Sequence, residues 1–257
     1  MDRIRRDLLL VTVALAFGAC GGGDPQGIAK EGVSPGAVKE YLLKHPEIVL
    51  DDAEISTAID RARVERREAI SASLRRAVLE EAADVVSSPL TPTAGDPDSR
   101  VRLIEFYDYQ CAPCKAGFAE FEEMQASEAD VQVVYAQLPI FGSHSVMAAR
   151  AVLAAQRQGL FEPYHEALMT VDSRLDMDLI YAKAVESGLD LEQLKADMRD
   201  PVLLAYLEEV RALAEALEVT GTPAFVIGDA IVRGGATADD LRAELDLQRV
   251  RLDAPST

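Results

Sequence analysis

A chain of 257 residues, nearly half of them apolar, has the length for one sizeable domain or two modest ones. Its net charge of −18 argues against nucleic acid as a partner and against electrostatic adhesion to anionic lipid. Only three cysteines are present, Cys20, Cys111 and Cys114, so any sulfur chemistry is confined to a few positions.

The N-terminus reads as an address rather than a fold. MDRIRRD is basic, LLLVTVALAF is a short apolar run, and FGA precedes Cys20. The run is too short to stay in a bilayer as a spanning helix, which makes residues 1–19 a cleaved export signal. FGAC resembles a bacterial lipoprotein box, which implies lipid on Cys20 and a membrane-anchored, periplasmic or otherwise extracytoplasmic protein. Phe17 stands where Leu is common, so ordinary signal-peptidase cleavage is the alternative. The Gly-rich stretch over 20–33 reads as a flexible tether. An exported chain works where disulfides persist.

Residues 34–86 are predicted to be helical throughout. Ser34 and Pro35 form a helix start, and Pro46 ends that helix while opening the next. Ala53 to Val86 contains neither Pro nor Gly, and Ile55, Ile59, Ala62, Ile70, Leu74, Val78 and Val85 make a stripe broken at Arg66. A stripe this narrow does not bury a helix in a core, but it can line a helix–helix seam. The region is therefore either a long helix lying on its own domain or a stalk that makes a homo-oligomer.

SSPLTPTAGDPDS (87–99) marks a boundary and turn region. VRLIEFY (101–107) is a strand, 114–125 a helix and VQVVYAQLPI (131–140) a second strand. Helical segments follow at 145–158, 161–170, 177–187 and 190–217, the last divided at Pro201. AFVIG (224–228) and AIVRG (230–234) form a hairpin turning at Gly228–Asp229. A final helix begins at Thr237, with Asp240 as its capping partner. The order β-α-β, helical block, β-β-α gives an α/β fold.

Within it, YDYQCAPCK (107–115) carries the chemistry. Zinc lacks ligands, because His45, His144 and His165 fall on separate segments. A structural staple across so short a loop constrains little. A redox pair fits both spacing and compartment, with no metal or organic cofactor. A helix starting at the motif presents unpaired N–H groups and the positive dipole end, which favour a thiolate. Cys111 is then the exposed attacking sulfur and Cys114 the buried resolving one, with Pro113 tolerated in the first turn.

EFYDYQCAPCK together with GTPAF is similar to the DsbA-like thiol–disulfide oxidoreductases of the thioredoxin fold, over about 87–250. That resemblance implies a thioredoxin-like fold with a helical insertion near 143–217, preceded by the N-terminal helical segment and ending in a short tail, 251–257. It places Glu105 where the family keeps a buried acid, whose raised pKa suits it to relay the Cys114 proton. The plain alternative is a strand-edge charge. It also implies a cis Thr222–Pro223 bond packed on the cysteines, with Thr222 offering backbone groups to an extended substrate.

Tyr107 and Tyr109 are expected on an apolar peptide-facing surface, and Phe106 in the core. His144 is a loop residue near the active-site edge, His165 a packing residue, and Lys115 a helix-surface cation close to the motif. SPGAVKEYLLKHPEIVLDD resembles the N-terminal region of ScsC-type proteins, which implies self-association and isomerase or reductase behaviour. The partners implied are exported proteins with thiols or disulfides and a membrane redox protein that recycles the pair. Ala112 and Pro113 offer the thiolate no side-chain donor, which predicts a less oxidising pair than one bearing histidine there. The rival readings are a copper-tolerance protein binding Cu(I) through the same two thiolates, and an inactive docking scaffold.

Overall fold

The computed structural model describes residues 34–254. The export signal, the Cys20 anchor, the 20–33 tether and the last three residues of the tail lie outside the described residues. The chain divides into two units between Ile59 and Asp60.

In the first unit, helix α1 spans Pro35–Lys44, and Ser34 Oγ accepts the Ala37 N–H at 3.2 Å. Helix α2 is the single turn Glu47–Leu50 after Pro46. Helix α3 runs Ala53–Glu81, starting in the first unit and lying mostly in the second, and Asp52 Oδ1 accepts the N–H groups of Glu54 and Ile55 at its start. None of the three helices buries a residue.

The helix predicted to run unbroken to Val86 stops at Glu81, because Ala82 leaves helical geometry at φ −89° and ψ 13°. A separate turn, α4, follows at Ala83–Val86. From position 78 onward the stripe does lie on its own domain: Val78, Leu79, Ala82 and Val85 pack against the core. Arg75, Arg76 and Arg251 converge on Asp229, which pins the end of α3 to a hairpin turn. Ile70 and Leu74 remain exposed.

The second unit is built on a five-stranded sheet: β1 (Thr93–Gly95), β2 (Val101–Tyr107), β3 (Val131–Gln137), β4 (Ala224–Ile227) and β5 (Ala230–Arg233), in the order β1-β3-β2-β4-β5. Strands β2 and β3 are parallel, and the other pairings are antiparallel. Strand β3 is buried along its whole length and β2 everywhere except Arg102, which explains their near-continuous apolar runs. Strand β3 ends at Gln137 rather than 140, since Leu138 already turns its N–H to Tyr107 O ahead of Pro139.

Strand β1 falls inside the stretch read as turn. It has three residues, none a large apolar one, and Gly95 at φ 83° sits where an added Cβ would lie 2.2 Å from Val131 O. The pairing rests on backbone approach, which apolar patterning does not report.

Helix α5 (Ala112–Ser127) sets Phe121 against Phe225 of β4, and helix α11 (Ala238–Asp253), opened by the Thr237–Asp240 capping box, packs on β2 and β4. Between β3 and β4 comes the helical block: α6 (Ser143–Arg157), α7 (Phe161–Met169), α8 (Met177–Glu186), α9 (Leu191–Asp197) and α10 (Pro201–Ala216). Asp176, Asp190 and Asp200 cap the last three by accepting backbone N–H groups. Helix α6 is its centre, and its buried alanines, Ala148, Ala149, Ala151, Ala154 and Ala155, let neighbouring helices approach closely.

Candidate active site

Cys111 is the N-cap of α5, extended at φ −77° and ψ 110°, and its Sγ accepts the Cys114 N–H at 3.2 Å. This is the standard duty of an N-cap side chain, performed here by sulfur. Pro113 occupies the first turn, where its missing N–H leaves nothing unpaired. Both thiols are free. The hydrogen bond from the Cys114 thiol, helped by the Cys114 backbone N–H, holds Cys111 at about 6, against burial and the Asp108 charge. The same bond, together with burial, pushes Cys114 far up. One proton is thus kept on the inner sulfur while the outer one is charged.

The exposure expected for Cys111 is corrected: the residue is only 1% exposed, because the segment before β4 closes over it. Thr222–Pro223 is cis, and Thr222 O lies 3.3 Å from Cys111 Sγ. Thr222 Oγ1 is buried with no partner among the described residues.

Glu105 is buried in β2 between β3 and β4, so it is not a strand-edge charge. Burial, then the charges of Glu122 and Cys111, push its carboxyl up to about 8. It lines a cavity of about 270 Å³ together with Cys114, Phe121, Pro223, Phe225 and Leu241. Register sets Tyr135 beside it on β3, and Tyr135 OH lies 3.2 Å from Glu122 Oε1 and 2.6 Å from Gln125 Oε1.

Tyr107 and Tyr109 require a second correction. Neither forms a surface: both are almost fully enclosed, and Tyr107 OH meets Tyr109 OH at 3.1 Å while Tyr109 OH meets His165 Nδ1 at 2.8 Å. His165 stacks on Phe161 at 5.1 Å and is lowered to about 3 by burial, which keeps it neutral. Helix α7 covers the aromatic residues that sequence left exposed. Phe106 is buried as expected, and His165 is a packing residue.

Lys115 is not a free surface cation, since its Nζ donates to Val171 O at 2.7 Å and burial lowers its pKa. His144 lies in the first turn of α6, with Nδ1 buried and unpartnered among the described residues.

Sequence reasoning missed Asp108. It is 2% exposed; Oδ1 accepts the Gln110 N–H at 2.7 Å, and Oδ2 accepts those of Ile140 and Phe141 at 2.7 and 3.2 Å. Asp108 thereby ties the cysteine loop to the loop after β3. An Asp just past a strand, able to close an Asx turn, was the available signal.

Among the described residues, no group of three His, Cys, Asp or Glu is placed to hold a metal ion. No helix among them is long and apolar enough to cross a membrane.

The family described as DSBA-like thioredoxin domain matches residues 102–246. The chain is similar to a thioredoxin-like oxidoreductase from Silicibacter pomeroyi DSS-3, at 38% identity and a TM-score of 0.63, covering 66% of this chain and 98% of that one. It is also similar to the catalytic domain of Proteus mirabilis ScsC, at 29% identity and a TM-score of 0.62, covering 68% and 98%. The Na(+)/H(+) antiporter NhaA of Herminiimonas arsenicoxydans is 30% identical over 170 residues. That match covers 64% of this chain and 27% of the antiporter, so the chain spans only about a quarter of such relatives.

Proposed function

The chain belongs to the DSBA-like thioredoxin domain family, and from that premise we propose that it is a thiol–disulfide oxidoreductase acting on exported proteins through Cys111 and Cys114. The observation that carries this is the cap: a sulfur at a helix start, held charged by its partner thiol and by a backbone N–H at 3.2 Å.

The Cys111 thiolate attacks a substrate disulfide. A mixed disulfide forms, and one substrate sulfur leaves as thiolate. This removes the negative charge on Cys111 that had held the proton on Cys114 and had helped raise Glu105. Glu105, relieved of that charge, releases its own proton to water through the shared cavity, and the carboxylate so formed takes the Cys114 proton. Its thiolate attacks Cys111 Sγ, closes the Cys111–Cys114 bond and releases the second substrate thiolate. The substrate disulfide ends reduced and the pair oxidised; a substrate thiolate attacking the oxidised pair runs the sequence backwards.

The finer parts of the reading are export as a lipoprotein through Cys20, recycling by a membrane redox partner, and self-association of the 34–86 helices. Exposed Tyr41, Leu43, Leu50, Val64, Ile70 and Leu74 support the last. Insulin reduction and refolding of a scrambled disulfide substrate test the activity. Cys111→Ser should abolish both, and retention of either rate refutes the assignment. Solution mass separates an isomerase, which pairs active sites in one assembly, from a monomeric oxidase. Titration of the reduced protein with Cu(I) addresses the copper reading.

A further inference from the structure

Beside the cysteine pair the surface opens into a groove of about 400 Å³, lined by Gln110, Ala112, Lys115, Phe141, Asp172 and Arg174. It shares no residue with the cavity that holds Glu105 and Pro223. Ala112, the residue next to Cys111, forms part of its wall.

Two features point to an occupant. Phe141 is 48% exposed and Ile140 42%, and among the described residues from 60 onward Phe141 is the one aromatic ring so exposed. Asp108 grips the backbone of both, so the ring stands on a fixed loop rather than a loose one. The second feature is charge. In a chain of net −18, this groove holds two cations against Asp172. Lys115 is committed to the carbonyls of Val171 and Ser173, whereas exposed Arg174 has no ion pair or hydrogen bond among the described residues.

We propose that this groove receives the residues flanking the substrate cysteine, and that it selects an apolar side chain against Phe141 and an acidic one on Arg174. The inference rests on the reading of Cys111 as the attacking sulfur. A substrate sulfur bonded to Cys111 is fixed one residue from the groove wall. At about 3.3 Å per extended residue, its neighbours fall within reach of Phe141 and Arg174.

The test uses the full chain carrying Cys114→Ser, which stops at the mixed disulfide. The probes are Glu-Phe-Cys-Phe-Glu, Lys-Phe-Cys-Phe-Lys and Glu-Gly-Cys-Gly-Glu, each with its cysteine as a 2-thiopyridyl disulfide. The Cys111 thiolate bonds to the peptide sulfur, the bond to the thiopyridyl sulfur breaks, and 2-thiopyridone carries off the electron pair and reports the rate. Replacing Phe by Gly should slow the reaction about tenfold, as loss of an interface aromatic does. Replacing Glu by Lys should slow it roughly 2- to 5-fold, as for an exposed ion pair, and this discrimination should fade with salt.

Arg174→Glu should reverse the Glu/Lys order, and Phe141→Ala should erase the Phe/Gly ratio. Each ratio is read within one variant, so a general loss of reactivity cancels. Equal rates for all three peptides, or ratios untouched by these substitutions, overturn the groove while leaving Cys111 as attacker. No reaction with any disulfide overturns both.

Discussion

Helix α3 and the junction of β2 with α5 handle polar side chains in opposite ways. Helix α3 is crowded with Arg and Glu, buries nothing, and from Arg61 to Ile70 is exposed on every face. The charges of that stretch stay in water, where single pairs contribute little. The β2–α5 junction has few polar groups, but Glu105, Asp108, Cys111 and Cys114 are all sealed from solvent. There each group must be paired, or shift its pKa, or both. Chemistry has gathered at the junction because desolvation makes a small rearrangement of charge energetically large. The helix is free to vary and to meet a partner.

Substitutions can break or sharpen that contrast. The largest effect is expected from Asp108→Ala, which strands three part-buried backbone N–H groups and unties two loops. Chemical denaturation should show a loss of roughly 3 kcal/mol or more, and an unchanged midpoint would contradict the clamp. Glu105→Gln acts through pH. The native carboxyl ionises near 8 and the unfolded one near 4.5, so the wild-type protein is most stable with Glu105 protonated in both states. Its stability should fall from pH 4.5 to 8, by up to a few kcal/mol, as the unfolded chain ionises first. The Gln variant should lack that slope and be the more stable protein at pH 8; a parallel pair of curves would count against a raised carboxyl.

Asp229→Ala removes the carboxylate shared by Arg76 of α3 and Arg251 of α11, leaving Arg75 on the backbone carbonyl, and should lower stability by about 1 kcal/mol, with faster amide exchange over 75–81. Last, Ile70→Ser on the open part of α3 should shift unfolding by less than about 0.5 kcal/mol. If the stripe is a seam between copies, the same change should lower the solution mass, and an unaltered mass would favour a helix that serves its own domain alone.

Local signals in the sequence were strong where physics is local. Ser34 and the Thr237–Asp240 pair cap helices because their oxygens reach the first free N–H groups. The Gly228–Asp229 turn was legible because Gly228 must take φ 59°. Strand β1 was not legible, since three residues that pair through their backbone leave no apolar pattern. The burial of Tyr107 and Tyr109 was missed because His165 of α7, 56 residues beyond Tyr109, supplies their cover.

Sequence alone determined that a sulfur begins a helix at 111, that a second lies one turn on, and that a proline stands ready downstream. These follow from spacing and capping, which neighbouring residues decide among themselves. Only the tertiary structure decided that Cys111 is roofed by Thr222, that Glu105 shares a cavity with Cys114, and that Asp108 joins two loops. Each of those depends on segments remote in the chain being desolvated together, and desolvation belongs to the folded whole rather than to any stretch of residues.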